Sequence, residues 1–183
     1  MRPLLIAVLI VALPLAGCAT TRPATYLVEP QGPYRLDTGD IVRVTVYGDQ
    51  TLSTTYRVDD AGAISFPLVG NVPVRHETTQ SAGRRLAGAL ANGYMRNPDV
   101  AVEVAEYRPF YIQGEVANSG ALPYAYGMSA RAAIAAAGGY TATADRSAVT
   151  IYRRQGDEMI RGSVDLDFLI QPGDTIVVGE RWF

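Results

Sequence analysis

Lysine is absent from this sequence, and cysteine, histidine and tryptophan each occur once. All 16 basic residues are therefore arginines; the acidic residues number 18, and the formal net charge is −2. Because the chain has no basic surplus to neutralise a phosphate backbone, we expect no nucleic-acid partner. One Cys and one His exclude an internal disulfide and a zinc site built from Cys and His alone.

The solitary Cys18 follows a segment that is typical of a bacterial export signal. Residues 1–17 place Arg2 before an apolar run from Leu4 to Leu15, and small residues follow this run. As a helix the run would rise only about 18 Å, which is short of the roughly 30 Å of hydrocarbon in a bilayer. A permanent transmembrane anchor is therefore the weaker interpretation. An ordinary signal peptide with a Cys near its end by chance is the alternative.

The sequence Leu15-Ala16-Gly17-Cys18 resembles a bacterial lipobox. This resemblance implies cleavage between Gly17 and Cys18 and attachment of acyl chains to Cys18. Several chains, at about 0.8 kcal/mol per buried methylene, would hold a soluble domain at a membrane. Residue 19, directly after the predicted lipidated cysteine, is Ala and not Asp. In this respect the chain is similar to enterobacterial lipoproteins that are sorted to the outer membrane. The resemblance thus implies a lipid anchor in the outer membrane, with the protein facing mainly the periplasm.

The rest of the chain divides into a tether and two structured units. Residues 18–33 contain three Thr, three Pro and one Gly, a composition that resists helix formation and predicts a flexible tether. Residues 34–106 are predicted to form one α+β unit. Its predicted elements are strands over 42–46, 56–58, 64–66, 70–74 and 100–104, and a helix over 78–92 capped by Thr78 or Thr79. A turn signal at residues 59–62 predicts that the second and third strands form a hairpin.

Residues 107–183 are predicted to form a second unit that is also rich in strands. Its predicted elements are strands over 110–114, 121–126, 149–153, 159–164 and 175–178, and a short Ala-rich helix over 129–137. Both units contain Gly-Asp directly before an apolar strand, at Gly39-Asp40 and at Gly173-Asp174. Because the Gly can supply a positive φ and the Asp can accept backbone N–H groups, we interpret both as turns and not as ligand sites.

Residue types that would form an enzyme's active site are not grouped in this sequence. The patterns of a Walker A loop, a dinucleotide-binding glycine turn and a G-x-S-x-G serine elbow do not occur, so we predict no catalytic residue, no cofactor and no metal. His76 lies in a predicted loop and is expected to be solvated. Acidic pairs such as Asp59 and Asp60 would suit a glycosidase, but they lie where turns favour acids.

Tyrosine is the most frequent aromatic residue, with 11 Tyr, 4 Phe and 1 Trp. A tyrosine ring can face a sugar while its hydroxyl forms a hydrogen bond. The candidate glycan contacts are Tyr107, Tyr111, Tyr124 and Tyr126. Tyrosine also favours half-buried strands, so packing is the alternative at each position. The arginine pairs at 84–85 and 153–154 are candidates for contacts with acidic polymers or neighbouring subunits, with a solvated surface as the alternative.

Several motifs carry a resemblance to a known family. The run that starts at Tyr34 (YRLDTGDIVRV), the run from Val58 to Gly70 (VDDAGAISFPLVG) and PDVAV at Pro98 resemble the outer-membrane polysaccharide export family. Residues 110–178 are similar to the soluble-ligand-binding β-grasp domain that follows in this family. The resemblance implies an α+β fold in which a β-rich polysaccharide export domain (34–106) precedes a β-grasp-like domain (107–183).

The family resemblance also implies a function. It implies a non-enzymatic outer-membrane lipoprotein that takes part in the export of exopolysaccharide or capsular polysaccharide. It further implies a homo-oligomer that encloses a polar lumen and meets an inner-membrane polysaccharide co-polymerase. The alternative is a lipid-anchored periplasmic glycan-binding or scaffolding module that forms no conduit.

The larger members of the family end in a membrane-spanning helix. The five residues after the last predicted strand, 179–183, would rise only about 7 Å as a helix. We therefore expect a short form without that helix, and a separate outer-membrane barrel or a larger family member that completes the path.

Overall fold

The computed structural model describes residue 27, residues 32–156 and residues 158–181. The predicted signal peptide, its cleavage site at Gly17 and the lipid attachment at Cys18 lie outside the described residues. Within the predicted tether, Leu27 is half-buried and packs against the second hydrophobic core, where it lies over Gly162.

The first core is formed by two small sheets and one helix. The elements are β1 (Ile41–Val46), β2 (Asp49–Arg57), β3 (Ala63–Phe66), β4 (Gly70–Pro73), α1 (Thr79–Ala91) and β5 (Val100–Glu106). Strand β1 is central and antiparallel to both β2 and β5. Its valines at 42, 44 and 46 are buried and the residues between them are exposed, as the alternating sequence predicts. Helix α1 packs against β5 and contributes Leu86 and Leu90 to the core.

The predicted boundaries of α1 are confirmed. The Ser81 N–H donates to the Thr78 hydroxyl oxygen at 3.2 Å, so Thr78 is the N-cap. Within the helix, Gly83 allows close approach to β5, because a Cβ at this position would lie 2.9 Å from the carbonyl oxygen of Val100.

The predicted hairpin between residues 56–58 and 64–66 is wrong in its pairing. The turn itself forms, since the Asp59 carboxylate accepts the Ala63 N–H at 2.8 Å. However, β2 extends back to Asp49 and pairs with β1, whereas β3 pairs with β4. Strand β3 buries Ala63 and Ile64 in succession, on both of its faces. Because a strand at a half-exposed sheet would bury only one of its faces, β3 lies within the core.

The second core lies on one five-stranded mixed sheet. Its elements are β6 (Phe110–Gly114), β7 (Gly120–Leu122), α2 (Ala130–Ala136), β8 (Val149–Gln155), β9 (Glu158–Val164) and β10 (Thr175–Val178). The strand order is β7-β6-β10-β8-β9, and β6 and β10 form the parallel pair. Alanines of α2 and its Ile134 pack into the core with Phe110 and Ile176. The predicted strand over 121–126 ends at Leu122, because Pro123 offers no N–H to a ladder.

The two units together confirm the predicted α+β fold class. Strand β5 ends at Glu106 and β6 begins at Phe110, so three residues link the two cores. Their boundary at residues 106 and 107 remains a prediction. Neither helix in the described part of the chain has the length and hydropathy needed to cross a bilayer.

Candidate functional site

The two Gly-Asp turns have the same hydrogen bonds. In the first turn the Asp40 N–H donates to the carbonyl of Asp37 at 3.1 Å, and the Asp37 N–H donates to the Asp40 carboxylate at 2.9 Å. In the second turn the equivalent bonds join Asp174 and Gln171 at 3.1 and 2.7 Å. The glycine before each Asp has a positive φ, of +94° and +85°. The predicted role of both motifs as turns is confirmed.

Both aspartates are buried and both have an arginine partner, which the sequence did not indicate. Asp40 is 0% and Asp174 1% exposed. Arg153 binds Asp174 in a bidentate manner, with Nε at 2.9 Å and Nη2 at 2.7 Å from the two carboxylate oxygens. Asp40 accepts the Tyr34 hydroxyl at 2.6 Å and the Arg108 backbone N–H at 2.9 Å. Such partners are needed because a buried carboxylate without them would be strongly destabilising.

Arg108 lies in the link between the two cores and contacts both Gly-Asp turns. Its Nη1 donates to the Tyr34 hydroxyl at 2.8 Å, and its Nη2 is 3.4 Å from an oxygen of Asp37. On the other side it lies against Gly173, where a Cβ would approach the Arg108 Nε to 3.1 Å. Burial raises the pKa of Tyr34 well above its usual value, against the opposing charge of Arg108. The Tyr34 hydroxyl therefore stays protonated and donates to Asp40.

Four tyrosines, Tyr34, Tyr107, Tyr124 and Tyr126, gather at this junction and form what we call the tyrosine cluster. The rings of Tyr34 and Tyr107 meet edge to face, with centroids 4.8 Å apart, and those of Tyr107 and Tyr124 meet similarly at 5.4 Å. These distances are typical of favourable aromatic pairs. Tyr126 is 65% exposed.

Two cavities open beside the tyrosine cluster. The first, of about 260 Å³, is lined by Tyr34, Tyr124 and Tyr126 and reaches Gln171; we call it the tyrosine cavity. The second, of about 410 Å³, is lined by Tyr34, Tyr107 and Tyr126 together with residues of α1 and β5. Burial raises the pKa of Tyr107 and of Tyr124. Their hydroxyls are thus neutral hydrogen-bonding groups at ordinary pH.

The structure brings three of the four predicted glycan contacts together and leaves the fourth apart. Tyr107, Tyr124 and Tyr126 belong to the tyrosine cluster. Tyr111 lies on β6, between the buried Phe110 and Ile112, and points to the solvent face of the sheet. It lines neither of the two cavities. Tyr34 is the fourth member of the cluster, and no sequence pattern marks it, because its ring partner Tyr107 is distant in the chain.

Other candidate residues have ordinary structural surroundings. His76 is exposed in the turn after β4. Arg84 is exposed on α1, and Arg85 pairs with Glu77. Among the described residues, no three His, Cys, Asp or Glu side chains lie close enough together to hold a metal ion.

Two family models match consecutive parts of the chain. The model described as polysaccharide biosynthesis/export protein matches residues 28–105, and that of the SLBB domain matches residues 108–178. Together the matches cover most of the chain, and they meet at the link that contains Arg108.

Curated relatives show the same affiliation. The chain is similar to the exopolysaccharide production protein ExoF of Rhizobium meliloti (strain 1021), with 33% identity over 58% of this chain and 28% of ExoF. It is also similar to the polysialic acid transport protein KpsD of Escherichia coli, with 29% identity over 81% of this chain and 28% of KpsD. The match therefore spans less than a third of the length of these relatives. On the two domain matches and these relatives, the chain belongs to the polysaccharide export protein family.

Proposed function

We propose that this chain is a lipid-anchored component of an oligomeric assembly that exports exopolysaccharide or capsular polysaccharide across the periplasm and the outer membrane. The observation that carries the proposal is the order of the two family matches, with a tyrosine-lined junction between them. The relatives support it by their names, since ExoF is a production protein for exopolysaccharide and KpsD a transport protein for polysialic acid.

The proposed mechanism is passage and docking of a polymer without making or breaking its bonds. A sugar chain that moves past the protein needs contacts that form and break readily. The tyrosine cluster suits this requirement because its rings offer apolar faces and its hydroxyls offer neutral hydrogen bonds. Copies of the chain would assemble into a ring, and an inner-membrane co-polymerase would deliver the polymer to it.

The export proposal is tested by deleting the gene and measuring polysaccharide at the cell surface and in the periplasm. We expect surface polysaccharide to be lost while polymer accumulates in the periplasm, and the full-length chain supplied in trans should restore secretion. Normal secretion by the deletion strain would refute the proposal. If secretion is normal but the purified chain binds the polymer, the glycan-binding or scaffolding module is supported. The tyrosine cluster is the observation that favours this second candidate.

The proposed lipid anchor predicts a large change in membrane partitioning for Cys18→Ser. The serine side chain has no thiol to receive an acyl chain, so the stabilisation from several buried chains would be lost. We expect the variant to lose metabolic labelling with a palmitate analogue and to move from the membrane fraction to the soluble fraction. Thr20→Ser, two residues further along, serves as the control and should keep both properties. Retention of the label by Cys18→Ser would rule out this attachment site.

A further inference from the structure

A cavity next to the tyrosine cavity has four arginines in its lining. It has a volume of about 190 Å³ and lies against the second Gly-Asp turn. We call it the arginine cleft; its charged lining residues are Arg75, Arg108, Arg153, Arg154, Asp37 and Asp174. Four guanidinium groups against two carboxylates make the cleft locally positive, although the chain as a whole has a net charge of −2.

The four arginines differ in how far neighbouring carboxylates satisfy them. Arg153 is buried and bound by both oxygens of Asp174. The guanidinium of Arg108 is 3.4 to 3.5 Å from its carboxylate neighbours, which is longer than the roughly 2.7 to 2.9 Å of a strong charge-assisted hydrogen bond. Arg108 therefore retains donor capacity toward the cleft.

The two remaining arginines are accessible. Arg75 contacts Asp37 through Nε at 2.8 Å, and its side chain is 44% exposed. Arg154 is exposed at the end of β8 and forms no ion pair within the described part of the chain. A planar guanidinium presents its N–H donors in a fork that matches a carboxylate. Arg75 and Arg154 are thus the groups best placed to receive an anionic group from solution.

The arginine cleft and the tyrosine cavity adjoin each other. Gln171 lines both. Arg35 of the tyrosine cavity donates from Nη1 to the carbonyl of His76, which lines the arginine cleft, at 2.8 Å. Each cavity alone is smaller than the roughly 300 to 1,000 Å³ of a typical small-molecule pocket. A ligand that spans both cavities past Gln171 would occupy a volume within that range, with aromatic rings on one side and a cationic wall on the other.

We propose that this joined site binds an acidic sugar residue, with its ring in the tyrosine cavity and its carboxylate in the arginine cleft. The proposal rests on the proposed export function and deepens it, because it assigns the exported polymer to the acidic polysaccharides. Because the chain as a whole has a net negative charge, it repels an acidic polymer outside the cleft. The cleft would therefore also determine where the polymer contacts the protein.

The test is a calorimetric titration of the purified full chain in detergent with three probes. These are a hexamer of galacturonic acid, a maltohexaose without charge, and a hexamer of glutamic acid, which carries carboxylates without sugar rings. We expect the galacturonate hexamer to bind at least about tenfold more tightly than either of the others. The double variant Arg75→Gln/Arg154→Gln should lose this preference, and its circular dichroism should match the wild type because both side chains are exposed.

The matched control is the double variant Arg43→Gln/Arg96→Gln, which removes two exposed arginines outside the cleft, one on β1 and one beyond the C-terminal end of α1. It should keep the preference for galacturonate, so a general loss of positive charge is separated from loss of the cleft. Equal binding of the acidic and neutral hexamers overturns the proposal, as does an unchanged preference in the double variant. If the glutamate hexamer binds as tightly as the galacturonate hexamer, the claim that the tyrosine cavity recognises the sugar ring is overturned. None of these results bears on secretion by the deletion strain, so the two proposals fail separately.

Discussion

Replacing Gly114 with Ala is expected to destabilise the second core strongly. Gly114 ends β6 where this strand runs parallel to β10, and a Cβ there would lie 2.1 Å from the carbonyl oxygen of Val178. The same oxygen accepts the N–H of Glu115 at 3.0 Å. Because the obstructing atom is backbone, it cannot rotate away as a side chain would. The two central strands would have to separate to admit one methyl group.

The cost has two parts that act in the same direction. Overpacking costs about 1 to 3 kcal/mol, and a φ of +92° costs a non-glycine residue about 1 to 2 kcal/mol. We expect the free energy of unfolding, measured by urea titration with circular dichroism, to fall by about 2 to 5 kcal/mol. The control is Gly179→Ala, which meets nothing within 4 Å and should behave as wild type. A Gly114→Ala chain of wild-type stability would contradict the packing described for this edge.

Replacing Arg153 with Met should destabilise the protein by about 3 to 5 kcal/mol. The methionine keeps much of the apolar length of the side chain but removes both hydrogen bonds to Asp174. The Asp174 carboxylate would then be buried with its negative charge uncompensated, and it would keep its hydrogen bond from the Gln171 backbone N–H. The loss of the cation also removes the contact of Arg153 with the ring of Phe168.

Arg154→Met is the matched control, because it makes the same change one residue further along. The side chain of Arg154 is exposed, so its removal should change the free energy of unfolding by no more than about 0.5 kcal/mol. Urea titration of both variants in parallel measures the difference. Similar stabilities of the two variants would show that the buried pair makes no net contribution.

The elements that the sequence predicted best have a regular pattern and a local signal at each end. Strand β1 alternates valine with polar residues, and α1 has a threonine N-cap and apolar residues at helical spacing. Strand β2 was predicted too short because most of its residues are polar and exposed, which hides the alternation. Pairing of β3 with β4 was missed because a sequence pattern marks a strand but not its partner.

The candidate site was predictable as residue types but not as an assembly. The Gly-Asp motifs indicated turns, and turns were found. The arginines that neutralise the two aspartates could not be assigned, since Arg108 and Asp40 are 68 positions apart and Arg153 and Asp174 are 21 apart. The same long-range packing brought Tyr34 to Tyr107 and left Tyr111 on another face.

The short link at residues 107–109 has a consequence for the affinity of any ligand at the junction. Tyr107 is fixed by two ring contacts and Arg108 by its contacts with Tyr34 and Asp40, while Pro109 restricts its own φ. Much of the conformational entropy that a flexible hinge would lose on closing around a ligand is therefore already lost in folding. The junction is preorganised, and preorganisation strengthens binding without adding a contact. Under the proposed export function, even weak contacts with successive sugars of a polymer would then be enough to define where it docks.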